Sequence, residues 1–263
     1  MIKLAGALGR KLQPPCIAGA TGGSGTRIFA RILRDAGIFI GTHLAPSEDA
    51  LPFREFFDRW TNAYIDQTQR WQVPAQRLEA LMTEELAILL STHLAGLDRA
   101  SWGWKAPRSI YLLPFWAHVF PEMRFLHIVR DGRDMAFSTN QNQVLRHSGA
   151  LLDPGEERAS LPVRAMILWS RINLMAARFG AEVLGQRHYL RLRFEDLCRE
   201  PDNTALRIHD FLGVRSGNSS AIAKEIVVPE SLGRWRREDG SLIAELENIG
   251  REALDVLGYG KRN

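Results

Sequence analysis

Two stretches of this chain bring together residue types that can hold an anion. The first is Gly19-Ala20-Thr21-Gly22-Gly23-Ser24-Gly25-Thr26-Arg27. Glycines let a backbone approach a ligand closely and aim successive N–H groups at it. A helix starting at the end of such a turn adds the positive pole of its dipole. Ser24 and Thr26 bring hydroxyl groups and Arg27 a full charge, so the turn suits a phosphate or sulfate. The second stretch is Phe125-Leu126-His127-Ile128-Val129-Arg130-Asp131-Gly132-Arg133-Asp134, an apolar run ending in charges. Arg130 stands where the run ends. Its planar fork can donate two parallel hydrogen bonds to a phosphate. Asp131 and Asp134 either hold Arg133 or cap a helix. Ser138 lies two helical turns further on, and its hydroxyl reaches back only if the turn folds over.

Neither stretch is specific alone. The glycine turn differs from a Walker A loop, which ends in Gly-Lys-Ser/Thr. Here Ser24-Gly25-Thr26 stands without a lysine, so a nucleotide kinase would lack its main γ-phosphate contact. A tight turn with no ligand, and a salt-bridged helix start, are the plain alternatives.

Both stretches need a frame to position them. Residues 16–20 read as a short buried strand, and 26–36 as a helix with Ile28, Phe29, Ile32 and Leu33 on one side. Residues 49–97 are mostly helical with an interruption near Pro74, 102–106 a strand, and 109–119 a helix between Pro107 and Pro121. Residues 124–129 form another buried strand. The pattern then predicts helices over 131–144 and 163–183, a strand over 188–193, and helices over 205–212 and 242–257. Strands alternating with helices imply a parallel sheet covered on both faces. Ligands in such sheets bind at the carboxyl ends of strands. The glycine turn, the Arg130 loop and the segment at Phe194 each follow a strand, so they should gather at one edge. The expectation is an α/β, P-loop-like three-layer α/β/α fold with a central parallel sheet. One domain spans 1–263, with a tail at 1–14 and a mobile loop at 145–161.

The chain has 263 residues, 45% of them hydrophobic, with a net charge of +4. That surplus fits an anionic ligand, an acidic acceptor or a mildly basic surface. No block of Lys or Arg reads as a nucleic-acid tract. Cys16 and Cys198 form neither a zinc pattern nor a disulfide framework, which points to a reducing compartment. No apolar run is long enough to span a bilayer, and residues 1–15 lack the regions of a signal peptide. The expected location is the cytoplasm. No metal cluster is evident, and oligomeric state is not legible.

From Pro15 to about Arg237 the chain resembles the sulfotransferases that use 3′-phosphoadenosine 5′-phosphosulfate (PAPS). Gly22-Gly23-Ser24-Gly25-Thr26-Arg27 is similar to the family's loop for the 5′-phosphosulfate. Arg130 and Ser138 match in type and spacing its pair for the 3′-phosphate. Arg193-Phe194-Glu195-Asp196-Leu197 resembles its Tyr-Glu-Asp-Leu segment, and Phe211-Leu212-Gly213 its helix ending. Gly233-Arg234-Trp235-Arg236 resembles the late basic segment that closes over the nucleotide. Lys105-Ala106-Pro107, Ser109-Ile110-Tyr111-Leu112, Phe120-Pro121 and Arg130-Asp131-Gly132-Arg133 are similar to tyrosylprotein sulfotransferases and their bacterial relatives. Two positions depart from the pattern. Gly23 stands where the family usually has Lys or Arg, and Phe194 replaces the tyrosine.

The resemblance implies sulfuryl transfer from PAPS to a hydroxyl or amine, leaving adenosine 3′,5′-bisphosphate (PAP). It places Gly22, Gly23, Ser24, Gly25, Thr26, Arg27, Arg130, Ser138, Phe194, Arg234, Trp235 and Arg236 on the nucleotide. Arg27, Lys105 or Arg108 would supply the charge missing at Gly23, with Lys105 on the transferring group. Of the general-base candidates, His43 has the suited pKa range, and Glu48 and Asp49 are rivals. Trp60, Trp71, Trp102 and Trp104 either line an acceptor cleft or pack the core. The acceptor is a small molecule, a glycan or a peptide. The alternatives are a P-loop kinase and a catalytically inactive PAP-binding scaffold.

Overall fold

The structure, a computed structural model, describes residues 13–97, 101–214 and 226–260. The strands β1 (Cys16–Ala20), β2 (Gly103–Lys105), β3 (Arg124–Val129) and β4 (Tyr189–Arg193) form one sheet in the order β2-β1-β3-β4. Every neighbouring pair is parallel, with Ile17 opposite Trp104 and Phe125, and Phe125 opposite Tyr189.

The strands are apolar on both faces, so both faces must be covered. Cys16, Ala18, Ala20, Leu126, Ile128 and Leu192 turn to one side, into a core with Phe29, Leu33, Leu197 and Ile208. Ile17, Phe125 and Val129 turn to the other, larger core, which includes Phe53, Trp104, Trp116 and Trp169. The first core is closed by α1 (Arg27–Asp35) and by helices that follow β4. The second is built on α2 (Arg54–Gln67), α3 (Gln76–His93), α4 (Leu113–Val119), α5 (Gly132–Ala136), α6 (Asn142–Leu151) and α7 (Leu161–Phe179). After β4 come α8 (Phe194–Arg199) and α9 (Pro201–Leu212), which pack with α1, then α10 (Gly240–Ile249) and α11 (Arg251–Val256) beside α7. The three-layer α/β/α expectation holds.

Chain direction makes a crevice at one place. From β1 the chain passes outward to β2; from β3 it passes the opposite way to β4. Ligands bind outside the carboxyl ends of strands where connections diverge in this manner. The glycine turn follows β1 and Arg130 follows β3 at that divergence.

Several predicted boundaries shift. The helix expected over 131–144 is interrupted: α5 ends at Ala136 and α6 begins at Asn142. Gln141 explains the break. Its amide donates to the carbonyls of Met135, Ala136 and Ser138, which satisfies the end of α5. The loop expected over 145–161 is correspondingly corrected. Its first half is α6, with Val144, His147, Ala150 and Leu151 buried. Residues 109–112 belong to a 3₁₀ turn, Pro107–Leu112, that precedes α4. Nearly all of the predicted 1–14 tail lies outside the described residues.

Candidate functional site

The glycine turn leaves β1 and enters α1 at Arg27. Gly23 has φ +84° and Gly25 φ +72°, a conformation costing a residue with a side chain roughly 1–2 kcal/mol. Space adds a second constraint. A Cβ at Gly25 would lie 2.3 Å from the Phe194 ring, and one at Gly23 would lie 3.0 Å from Ser138 Oγ. A lysine at position 23 would therefore strain the backbone and displace Ser138. The interruption after α5 is what returns Ser138 to the turn.

A cavity of about 870 Å³ opens along this edge of the sheet. Gly22, Gly23, Gly25, Thr26 and Arg27 line it from the turn, Arg130 from the end of β3 and Phe194 from the end of β4. Both anion stretches thus face one space. Ser24 does not join them as a hydroxyl donor. It is 1% exposed and its Oγ donates to the Thr21 carbonyl at 2.7 Å, closing the turn.

Arg130 is buried. Its Nη2 donates to the Ser231 carbonyl at 2.6 Å and Ser231 Oγ at 3.1 Å, with Asp134 Oδ2 further off at 3.3 Å. Its Nε is buried with no partner. The guanidinium lies 5.4 Å from the Phe194 ring centre. Arg234 crowds in beside it, donating through Nε to the same Ser231 carbonyl and through Nη1 to the Phe137 carbonyl. Burial, and then Arg130, pull the Arg234 pKa down. Two cations therefore share one carbonyl and one nearby carboxylate, and that carboxylate also accepts the Gly233 and Trp235 N–H groups. Leaving a buried donor unmatched costs about 1–3 kcal/mol. An orphaned N–H on a buried arginine, surplus positive charge and a turn restricted to glycine fit a nucleotide with anionic groups at both ends.

Trp235 and Arg236 are placed elsewhere, correcting their expected role on the nucleotide. They line a separate cavity of about 500 Å³ with Asp131, Arg133 and Glu195. The Trp235 ring lies between Arg133, 4.0 Å from its centre, and Arg236 at 4.7 Å. The 3₁₀ turn Arg234–Arg237, pinned through the Trp235 N–H to Asp134, sends successive side chains to different sides.

The catalytic expectations also divide. Lys105 is 1% exposed and does not line the cavity. Its Nζ donates to Asp49 Oδ1 at 2.5 Å and to the Ser47 carbonyl at 2.6 Å. Burial lowers its pKa, and the Asp49 carboxylate opposes that shift. The direct contact expected between Lys105 and a transferring group is corrected: Asp49 stands in front of it. His43 is exposed and absent from the lining, which corrects it as the base. Glu48 is occupied by Arg34 at 2.5 Å and Arg31 at 3.4 Å. Of the three base candidates, Asp49 lines the cavity. Arg27 lines it too, without an ion pair among the described residues. The tryptophans serve the core: Trp102 and Trp104 are buried, Trp60 donates to Glu85, and Trp71 to the Tyr111 carbonyl.

Across from the glycine turn the cavity is lined by Leu51, Arg54, Phe57, Asp58, Arg108 and Arg146. The sequence reading passed over all of these but Arg108. The spacing of Arg54, Phe57 and Asp58 at i, i+3 and i+4 was an available sign of one helix face. Ser231 was also missed, and it carries no signal, because only the return of the chain brings it to Arg130.

A profile of the sulfotransferase family matches residues 24–216. The chain belongs to the sulfotransferase family. Its fold agrees with solved sulfotransferase structures. One, from Mycobacterium avium, is 14% identical, with 97% of this chain and 80% of that one covered and a TM-score of 0.59. A sulfotransferase domain from the curacin biosynthetic pathway is also 14% identical, covering 96% and 100%, with a TM-score of 0.55. Retinol dehydratase, in complex with androsterone and the inactive cofactor PAP, is 13% identical over 100% and 86%, with a TM-score of 0.50. No curated protein matches the chain. This sulfotransferase uses PAPS as sulfuryl donor and transfers the group to an acceptor. No finding favours the kinase or scaffold alternative. Among the described residues no helix is long and apolar enough to cross a membrane.

Proposed function

We propose that the 870 Å³ cavity is where sulfuryl transfer takes place, with the nucleotide along the sheet edge and the acceptor against α2 and α6. The observation that carries this reading is Asp49, a carboxylate held by a buried lysine in the same cavity as the glycine turn and Arg130. PAPS supplies the sulfuryl group and the 5′-phosphate on which charge collects as the group departs. The backbone from Gly22 to Thr26, with the Arg27 guanidinium, holds that end. Arg130, Ser138 and Arg234 bind the 3′-phosphate, and Phe194 presents a ring face to the base. Asp49 accepts the proton of the acceptor hydroxyl or amine through Oδ2. Lys105 is a positioning residue, aiming Asp49. Negative charge spreads outward in such transfers, and fixed cations near it lower the barrier; Arg27 is the exposed cation on the turn suited to that work.

Calorimetric titration with PAP, adenosine 5′-phosphate and ATP-magnesium tests the nucleotide assignment. PAP is expected to bind at least tenfold more tightly than adenosine 5′-phosphate. Equal affinity for those two, or tighter binding of ATP-magnesium, overturns it.

A further inference from the structure

The wall facing the glycine turn carries more positive charge than its own carboxylates neutralise. Arg108 donates to Asp58 Oδ1 at 2.6 Å and to the Arg54 carbonyl at 3.0 Å, and its guanidinium lies 5.2 Å from the Phe57 ring centre. Arg146 reaches the same Asp58 Oδ1 at 2.9 Å, with its side chain 57% exposed. Arg54 lines the cavity with no side-chain hydrogen bond or ion pair to any described residue. Two cations therefore share Asp58 and the third, Arg54, has no acid of its own, because Lys105 already claims Asp49. His147 lies behind this group with its Nε2 buried and unpartnered. Burial and then Arg108 and Arg146 hold its pKa down to about 3, so it stays uncharged in a positive field.

Resting on the reading above, we infer that the acceptor is a small molecule carrying a fixed negative charge besides its reacting hydroxyl, and that Arg54, supported by Arg146, binds that charge. A carboxylate, sulfate or phosphate supplies what the wall lacks. Arginine matches the planar geometry of such oxygens. Apolar Leu51, Phe57, Pro229 and the 82% exposed Val227 line the same cavity. A ring or short carbon chain therefore fits between the anion subsite and Asp49. Size argues for a small acceptor. Pockets of roughly 300–1,000 Å³ bury one drug-sized ligand, whereas about 870 Å³ here takes nucleotide and acceptor together.

Three phenols of like shape and different charge test this: 4-hydroxyphenylacetate, 4-hydroxyphenylacetamide and tyramine. Each is titrated into the PAP-saturated protein by calorimetry and assayed as acceptor with labelled PAPS. The anion is expected to bind about tenfold more tightly than the amide, and the amine least tightly. Arg54→Ala should remove the preference by raising KM for the anion about tenfold with kcat little changed, and Arg54→Lys should keep part of it. Raising the salt to 0.5 M should weaken the anion alone, since exposed charges are screened. Equal binding of all three, preference for tyramine, or an Arg54→Ala effect on kcat alone overturns the inference, whether or not any phenol is turned over. A glutamate-flanked tyrosine peptide or a sulfated disaccharide outperforming 4-hydroxyphenylacetate overturns the small-molecule class. PAP affinity of the wild-type protein separates this failure from failure of the nucleotide assignment, because only the latter predicts that the wild type does not bind PAP.

Discussion

The two halves of the cavity are made of different material. The half proposed for the nucleotide sits at the ends of parallel strands: a glycine turn after β1, Arg130 after β3 and Phe194 after β4. The half proposed for the acceptor is side chains on helices and loops, among them Arg54 and Asp58 on α2, Arg146 on α6, and Asp49. Strand ends fix their groups through the sheet, so that half is preorganised and difficult to alter without loss. The helical half can exchange one side chain for another while its scaffold stays put. A fold that keeps its donor and varies its acceptor would be divided in this way.

Substitutions that move one readout and leave the other test that division. The largest effect is expected from Asp49→Asn, which should lower kcat by ~10²–10⁴, the usual contribution of a general base, with PAP affinity unchanged by calorimetry. Loss of PAP binding in that variant would show that the halves are not separable. Gly25→Ala should act on the other side. The strained φ and the collision with Phe194 should weaken PAP roughly a hundredfold, about 2.7 kcal/mol. Arg130→Ala should cost more than tenfold in PAP affinity, ~1.5–3 kcal/mol, and should also lower Tm, because Asp134 loses its cation. Unchanged PAP binding there would remove Arg130 from the site.

The mildest prediction concerns the frame common to both halves. His127 is bonded to Tyr189 and Asn173, and His93 to the Gly103 carbonyl. Burial depresses both pKa values from 6.5 to about 4. The unfolded chain therefore binds more protons across that window, so stability is complete above pH 6.5 and falls as pH drops toward 4. At pH 6 these two histidines should cost about 1–2 kcal/mol and His147, held at about 3, about 1 more, read from denaturant midpoints at several pH values. His127→Gln should flatten the slope; an unchanged slope would place the acid sensitivity elsewhere.

How much of this was legible in the sequence follows the same division. The strands at 16–20 and 124–129 were readable because both faces are buried, giving short uninterrupted apolar runs bounded by glycine or charge. The turn and Arg130 sit directly after those runs, so finding the strands found two parts of the cavity lining. Local pattern failed where a distant contact decides. Lys105 looked like a free cation, because nothing in its neighbourhood reveals that Asp49 folds over it. His43 looked like a base from its residue type and its place beyond the first helix, yet it is exposed and absent from the cavity lining. The interruption at 137–141 came from the Gln141 amide capping carbonyls, a competition between side chain and helix that composition does not show. Trp235 and Arg236 came with Arg234 through the resemblance of the whole Gly233-Arg234-Trp235-Arg236 segment, although a 3₁₀ turn separates neighbours.

Under the proposed nucleotide assignment, the Ser231 carbonyl seated against Arg130 has a kinetic consequence. Because the protein already supplies an oxygen to that guanidinium, a bound nucleotide exchanges one ligand for another and gains only the difference. Spent PAP is then held less tightly than its charges alone would dictate, and the carbonyl is at hand to recapture the arginine on departure. An affinity moderated in this way shortens the wait between cycles in an enzyme whose donor and by-product share the same two anchoring ends.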